Sequence, residues 1–199
     1  MENAKLGFKK LYAAAILTII GGFASIIVTK EYWYLGIVFI IVDIIAFFLN
    51  LEGLKLMGKD LEGYNKAYKF AIAGIIVDVA SIIICFIVKE GSGVGAIVNS
   101  TSKALSEAIE FGISFLVLKT SAAYLESKGN KELAKYTNTT KNLLTAAYAI
   151  TIILEFIISA KVENWVTMVG MVLAIVALVC VVVGQVRYII FLKRMRDAI

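Results

Sequence analysis

Residues 164–186 read NWVTMVGMVLAIVALVCVVVGQV, an uncharged run held between Glu163 and Arg187. Its length matches the roughly 20 apolar residues that carry a helix across a hydrocarbon core about 30 Å thick. A soluble helix of this length needs a wet face opposite its apolar stripe, and no such face can be drawn on valine, leucine and alanine repeated all round. In lipid the backbone must satisfy its own polar groups, so the run predicts a transmembrane helix.

Four further charge-poor windows lie upstream, at residues 11–29, 32–51, 70–88 and 142–160. A sixth, 103–119, carries Glu107 and Glu110 and leaves 111–118 free of charge. With 60% hydrophobic residues in a chain of 199, the composition exceeds what a soluble core of this size requires. These observations predict an all-α integral membrane protein, a six-transmembrane helix bundle forming a single domain over 1–199, with spans near 9–29, 33–53, 68–88, 101–121, 141–160 and 165–187.

Six crossings sort the basic residues unevenly. Lys5, Lys9, Lys10, Lys55, Lys59, Lys66, Lys69, Lys119, Lys128, Lys131, Lys135, Lys141, Arg187, Lys193, Arg194 and Arg196 fall on one side, and Lys30, Lys89, Lys103 and Lys161 on the other. The positive-inside rule then places both termini in the cytoplasm. The two tryptophans, Trp33 and Trp165, fall at the opposite boundary, where indole rings favour the headgroup layer. Compact loops point to a bacterial plasma membrane, and the net charge of +5, gathered beside the spans, calls for no nucleic-acid partner. Lys5, Lys9 and Lys10 precede the first apolar run as a signal peptide's basic end would, but the run is long and no A-x-A site follows, so the first span is expected to stay.

Two connectors echo one another. Gly58-Lys59-Asp60-Leu61-Glu62-Gly63-Tyr64 answers to Gly129-Asn130-Lys131-Glu132-Leu133-Ala134-Lys135-Tyr136, and each is followed by a lysine, Lys69 or Lys141, and a new apolar run. This predicts three parallel helical hairpins, repeated about an axis along the membrane normal. In the connectors, glycine suits the left-handed residue that ends a helix and an acid beyond it suits the next N-terminus, with short helical turns expected over 54–66 and 124–135. Three parallel hairpins resemble the mitochondrial carriers in outline, but the signature of those carriers contains proline and this chain has none. Six spans in this length also resemble the substrate-binding subunits of some vitamin importers, a likeness of size without a shared motif.

Residues three and four apart line small or polar side chains along each span. The seams are Ala14, Thr18, Gly21 and Ser25; Gly36, Asp43, Ala46 and Asn50; Ala71, Gly74, Asp78, Ser81 and Cys85; Lys103, Glu107, Glu110, Ser114 and Ser121; Thr145, Tyr148, Thr151, Glu155 and Ser159; and Gly170, Ala174, Ala177, Val181 and Gly184. Such seams are expected to face the bundle interior, since small residues let helices approach and lipid does not reward hydroxyls.

An acid at the centre of a span costs about 2.5–3.5 kcal/mol on insertion scales, so carboxylates at depth ask for a role. Lys103 lies toward the outer end of its span and Arg187 toward the inner, which leaves the midplane without a base. The pattern points to a cation or proton-coupled permease or channel, with Asp78 and Glu155 as central sites, Asp43 and Glu110 auxiliary, and Glu107 at an outer vestibule. The alternative is a non-catalytic assembly, accessory or immunity protein whose protonated acids hold helices together, working through a homo-oligomer or a membrane-protein partner. Enzymatic chemistry is not expected. With no histidine there is no Ser-His pair, no H-E-x-x-H zinc site and no His-ligated haem, and no cofactor is predicted. Asp43 and Asp78 lack the Tyr-Asp and Gly-x-Gly-Asp settings of an intramembrane aspartyl protease.

Overall fold

A computed structural model describes residues 1–25, 33–87, 93–159 and 164–199. Among these all regular structure is α-helical: α1 (Glu2–Ser25), α2 (Trp33–Gly58), α3 (Glu62–Ile87), α4 (Gly93–Ser127), α5 (Lys131–Ser159) and α6 (Asn164–Ala198). The absence of proline lets each apolar run propagate unbroken. Glu2, Glu62 and Glu132 in the first turns of α1, α3 and α5 complement the positive N-terminal end of each helix. The turns expected over 54–66 and 124–135 are continuations of the long helices, interrupted at 59–61 and 128–130.

Two described segments are long and apolar enough to cross a membrane, Ala104–Ser127 and Val172–Ala198. One of them is the fourth run, the weakest in sequence, because past Glu110 the helix continues through Leu116, Val117, Leu118 and Ala122. Trp33, Trp165 and the bases Lys30, Lys89, Lys103 and Lys161 lie outside the described side chains.

The chain forms two compact units. The first comprises Met1–Tyr68 and Tyr188–Ile199. Here α1 and α2 touch backbone to backbone: a Cβ placed on Gly7 would stand 2.6 Å from the Gly53 carbonyl oxygen, and one on Gly53 2.9 Å from that of Gly7. Beside this contact Phe8, Leu54, Met57, Tyr64, Phe191, Leu192 and Met195 are fully buried. The Phe8 ring meets Tyr64 edge-on at 5.8 Å and Phe191 at 6.0 Å. Ala4, Leu11 and Ala14 extend the Phe8 face at helical spacing.

That face differs from the expected seams. Thr18 on α1 and Asp43 and Asn50 on α2 are exposed, while Ala14 and Ala46 are buried. Thr18 satisfies its hydroxyl on its own helix, donating to the Ala14 carbonyl at 3.1 Å, and so needs no inward partner. The inward face is instead chosen by the large apolar side chains near the connector, whose burial outweighs the alignment of small and polar residues.

In the second unit, Lys69–Arg187, the expected seam residues Ala71, Gly74, Ser121, Tyr148, Ala177 and Gly184 are buried, Glu110 is exposed, and Asp78, Cys85, Lys103, Glu155, Ser159 and Gly170 lie outside the described side chains. On α3, Ala71 and Gly74 are buried, whereas Ile72, Ile76, Val79, Ile83 and Ile84 are exposed. A Cβ on Gly74 would lie 2.6 Å from Cγ2 of Ile109 in α4. On α6, Ala177 and Gly184 are buried beneath a surface of exposed valine and leucine, and Gly184 receives the Leu144 side chain of α5. Thr137, Thr140, Thr145 and Thr151 each donate to the carbonyl four residues earlier, which satisfies the hydroxyl protons along α5 within the helix itself.

The echoing connectors are built differently. Gly129 adopts φ of 76°, its N–H donates to Glu126 O at 3.0 Å, and the Asn130 N–H donates to Leu125 O at 3.0 Å, a Schellman closure of α4. Asn130 then caps α5, accepting the Leu133 N–H at 3.2 Å. Gly58 stays helical and serves close approach, since a Cβ there would lie 3.0 Å from Cα of Asn65.

Candidate functional site: acids, a phenol and an amide in the second unit

One turn of α4 presents Glu107 and Glu110 three residues apart, on neighbouring parts of one face. Glu107 is half-buried with its Oε2 covered, and Glu110 is exposed. Both carboxylates lie within electrostatic reach of Tyr148, which is buried on α5. The Tyr148 hydroxyl accepts a hydrogen bond from the side-chain amide of Gln185 in α6 at 3.3 Å. Its ring is tilted by 40° against Phe111, centroid to centroid 5.4 Å, and Phe111 leads on to Phe115 at 5.7 Å. Three helices therefore bring a phenol, an amide and an aromatic ring together, and the two carboxylates lie on the turn of α4 that leads into Phe111.

Two basic groups of this unit, Arg187 and Lys141, are engaged toward the connector between α4 and α5. The Arg187 guanidinium lies 4.3 Å from the Tyr136 ring centroid, and its Nε donates to Thr140 Oγ1 at 3.3 Å. Tyr136 returns a hydrogen bond to the Arg187 carbonyl at 3.2 Å. Lys141 donates to Asn138 Oδ1 at 3.0 Å and stands 5.9 Å from the Phe115 ring centroid. Along α5, Lys141 is about 10 Å from Tyr148 at 1.5 Å per residue.

Of the acids singled out in the sequence, Glu107 and Glu110 are brought together. Asp78 on α3 and Glu155 on α5 hold helical positions, but their side chains lie outside the described ones. Asp43 belongs to the first unit and is exposed among Ile41, Ile44 and Phe47. Among the described residues no three cysteines or acids gather as a metal-holding group, and Cys180 is a free, half-buried thiol. Gln185 was not among the candidates read from sequence. Its signal is an amide at the end of an otherwise apolar run, next to the seam glycine Gly184.

The chain matches no protein-family model, no curated protein and no solved structure. What it does therefore has to follow from these side chains. Carboxylate, phenol and amide oxygens are ligands for hard cations, and a carboxyl in a low-dielectric setting can also exchange a proton.

Proposed function

We propose that this is a six-span helical membrane protein, both termini in the cytoplasm of a bacterial cell, that carries or conducts a cation or proton without catalysing a chemical reaction. The observation that carries this reading is the placing of Glu107 and Glu110 on the turn of α4 that leads into Phe111, which packs on Tyr148 and so on Gln185, along helices otherwise clothed in valine, isoleucine and leucine. Acids at such positions are expensive to insert and are functional by default. Asp78 and Glu155, on the seams of α3 and α5, are assigned the deeper steps, and the sixteen-to-four division of bases sets the orientation. Three parallel hairpins, α1 with α2, α3 with α4 and α5 with α6, are the architecture assigned to the bundle.

The test is flux. Purified chain in liposomes should dissipate a proton or monovalent-cation gradient, and E107Q/E110Q should slow that flux at least about tenfold while leaving helicity unchanged. Asp43→Asn should leave flux as it was. If the wild type moves neither protons nor cations and the double variant merely melts earlier, the transport reading fails.

A second reading is favoured by Asp43. An acid exposed among Ile41, Ile44 and Phe47 suits a neighbouring helix better than acyl chains, as an accessory or assembly subunit would require. Loss of oligomerisation or of partner capture in Asp43→Leu, with flux absent throughout, would select it.

A further inference from the structure

The apolar faces of the first unit end in bases. On α2, Ile41, Ile44 and Phe48 are exposed, Phe48 to 63%, and the same stripe runs on through Glu52 to the exposed Lys55 and Lys59. At 1.5 Å per residue Lys55 lies about 10 Å beyond Phe48 along the axis and Lys59 about 16 Å. On α6 the exposed Ile190 is followed within one turn by the exposed Lys193. On α1 the exposed Lys9 lies toward the same end, because Ala4 meets Asp60 and Phe8 meets Phe191 there. Three other bases of this unit are directed at acids: Lys10 at Glu52 (2.6 Å), Lys66 at Glu62 (3.1 Å) and Arg196 at Asp197 (2.8 Å).

Resting on the membrane reading above, we propose that this end of the first unit binds anionic phospholipid headgroups, with Lys9, Lys55, Lys59 and Lys193 as the phosphate-binding side chains. The headgroup layer extends about 5–8 Å beyond each side of the hydrocarbon core. A lysine past the last exposed apolar residue reaches that layer by laying its flexible stem back along the helix, so that the ammonium meets the phosphates while the stem covers apolar surface. Exposed bases on three helices at one end of the unit suit separate lipid phosphates, whereas a nucleic-acid strand requires a continuous track.

Full-length protein is first floated with pure phosphatidylcholine vesicles, then equilibrated in nanodiscs of equal phosphatidylglycerol and phosphatidylcholine. Lipids retained after mild detergent extraction are counted by mass spectrometry. Wild type should retain phosphatidylglycerol preferentially. In K55Q/K59Q/K193Q the preference should fall by about fivefold per lysine, the factor that corresponds to ~1 kcal/mol per surface base, while K55R/K59R/K193R should keep it. Flotation with no preference for phosphatidylglycerol, or an undiminished preference in the glutamine variant, overturns the lipid site alone. Failure of the wild type to float with phosphatidylcholine overturns the membrane reading itself. Loss of RNA-oligomer binding in the glutamine variant, with lipid retention unchanged, would reassign the lysines and sink the proposal.

Discussion

The carboxylate of Asp60, in the turn between α2 and α3, accepts the backbone N–H of Ala4 at 2.8 Å and so caps the start of α1 from fifty-six residues away. Its other oxygen accepts the Asn3 side-chain amide at 3.1 Å, and the chain's α-ammonium lies 3.6 Å from the carboxylate. One side chain thereby ties the first helix to the connector of the next two.

Burial would raise the Asp60 carboxyl, but the hydrogen bonds from Asn3 and Ala4 and the nearby ammonium outweigh it and hold it below its usual value. A carboxyl depressed in the folded state stabilises the fold at pH above its unfolded value of about 3.9 and loses that contribution as pH falls through the folded value. Asp60→Ala should therefore lower unfolding free energy near neutral pH by about 1 kcal/mol, the worth of an N-cap. Stability measured from pH 7 down to 3 should fall more steeply for wild type than for Asp60→Ala. Parallel curves would show that the carboxylate contributes nothing by its charge.

Gly129 and Gly7 resist substitution for opposite reasons. Nothing lies within 4 Å of a Cβ built on Gly129, so Gly129→Ala meets only the backbone cost of φ near 76°, about 1–2 kcal/mol, and Gly129→Asn should recover part of it. At Gly7 the conformation is ordinary and space is missing. Gly7→Ala should cost about 1–3 kcal/mol by prying α1 from α2, with no relief from asparagine. Chemical unfolding of the four variants separates the two causes.

Phe8 stands between Tyr64 and Phe191 and is wholly buried. Phe8→Ala should cost about 3–5 kcal/mol through lost burial and the cavity left behind. Loss of hydrogen-exchange protection is expected in α1, in α2 and near Phe191. Protection lost evenly over all helices would contradict a core confined to the first unit.

Arg187 stacks on Tyr136 while donating to Thr140, a geometry that a lysine ammonium cannot reproduce. Arg187→Lys should lose about 0.5–2 kcal/mol despite the retained charge. Tyr136→Phe should lose less, since the ring remains and only the bond to the Arg187 carbonyl goes. Equal losses would show that the guanidinium–ring contact contributes no more than that one bond.

The helices themselves were legible along the chain because apolar runs and 3.6-residue periodicity are local properties. The small-residue seam of α6, with Ala177 and Gly184 buried, and that of α3, with Ala71 and Gly74 buried, follow from the same local pattern, since little else on those helices lets another helix approach. The Schellman turn at Gly129 could also be read from a glycine between two helical runs. Thr18, Asp43 and Asn50 could not be placed in this way: a polar stripe states what a face would accept but not which neighbour covers it.

By itself, then, the amino-acid order determined that the described residues are helical, where the connectors near Gly58 and Gly129 fall, and which faces of α3 and α6 are narrow enough to pack. Only the tertiary structure decided that Asp60 serves α1, that Phe8 anchors the first unit, and that Tyr148 meets Gln185 and Phe111. The physical reason is range. Helix formation and side-chain periodicity are set within one or two turns, while caps, burial and the field at a carboxylate depend on atoms brought close from tens of residues away.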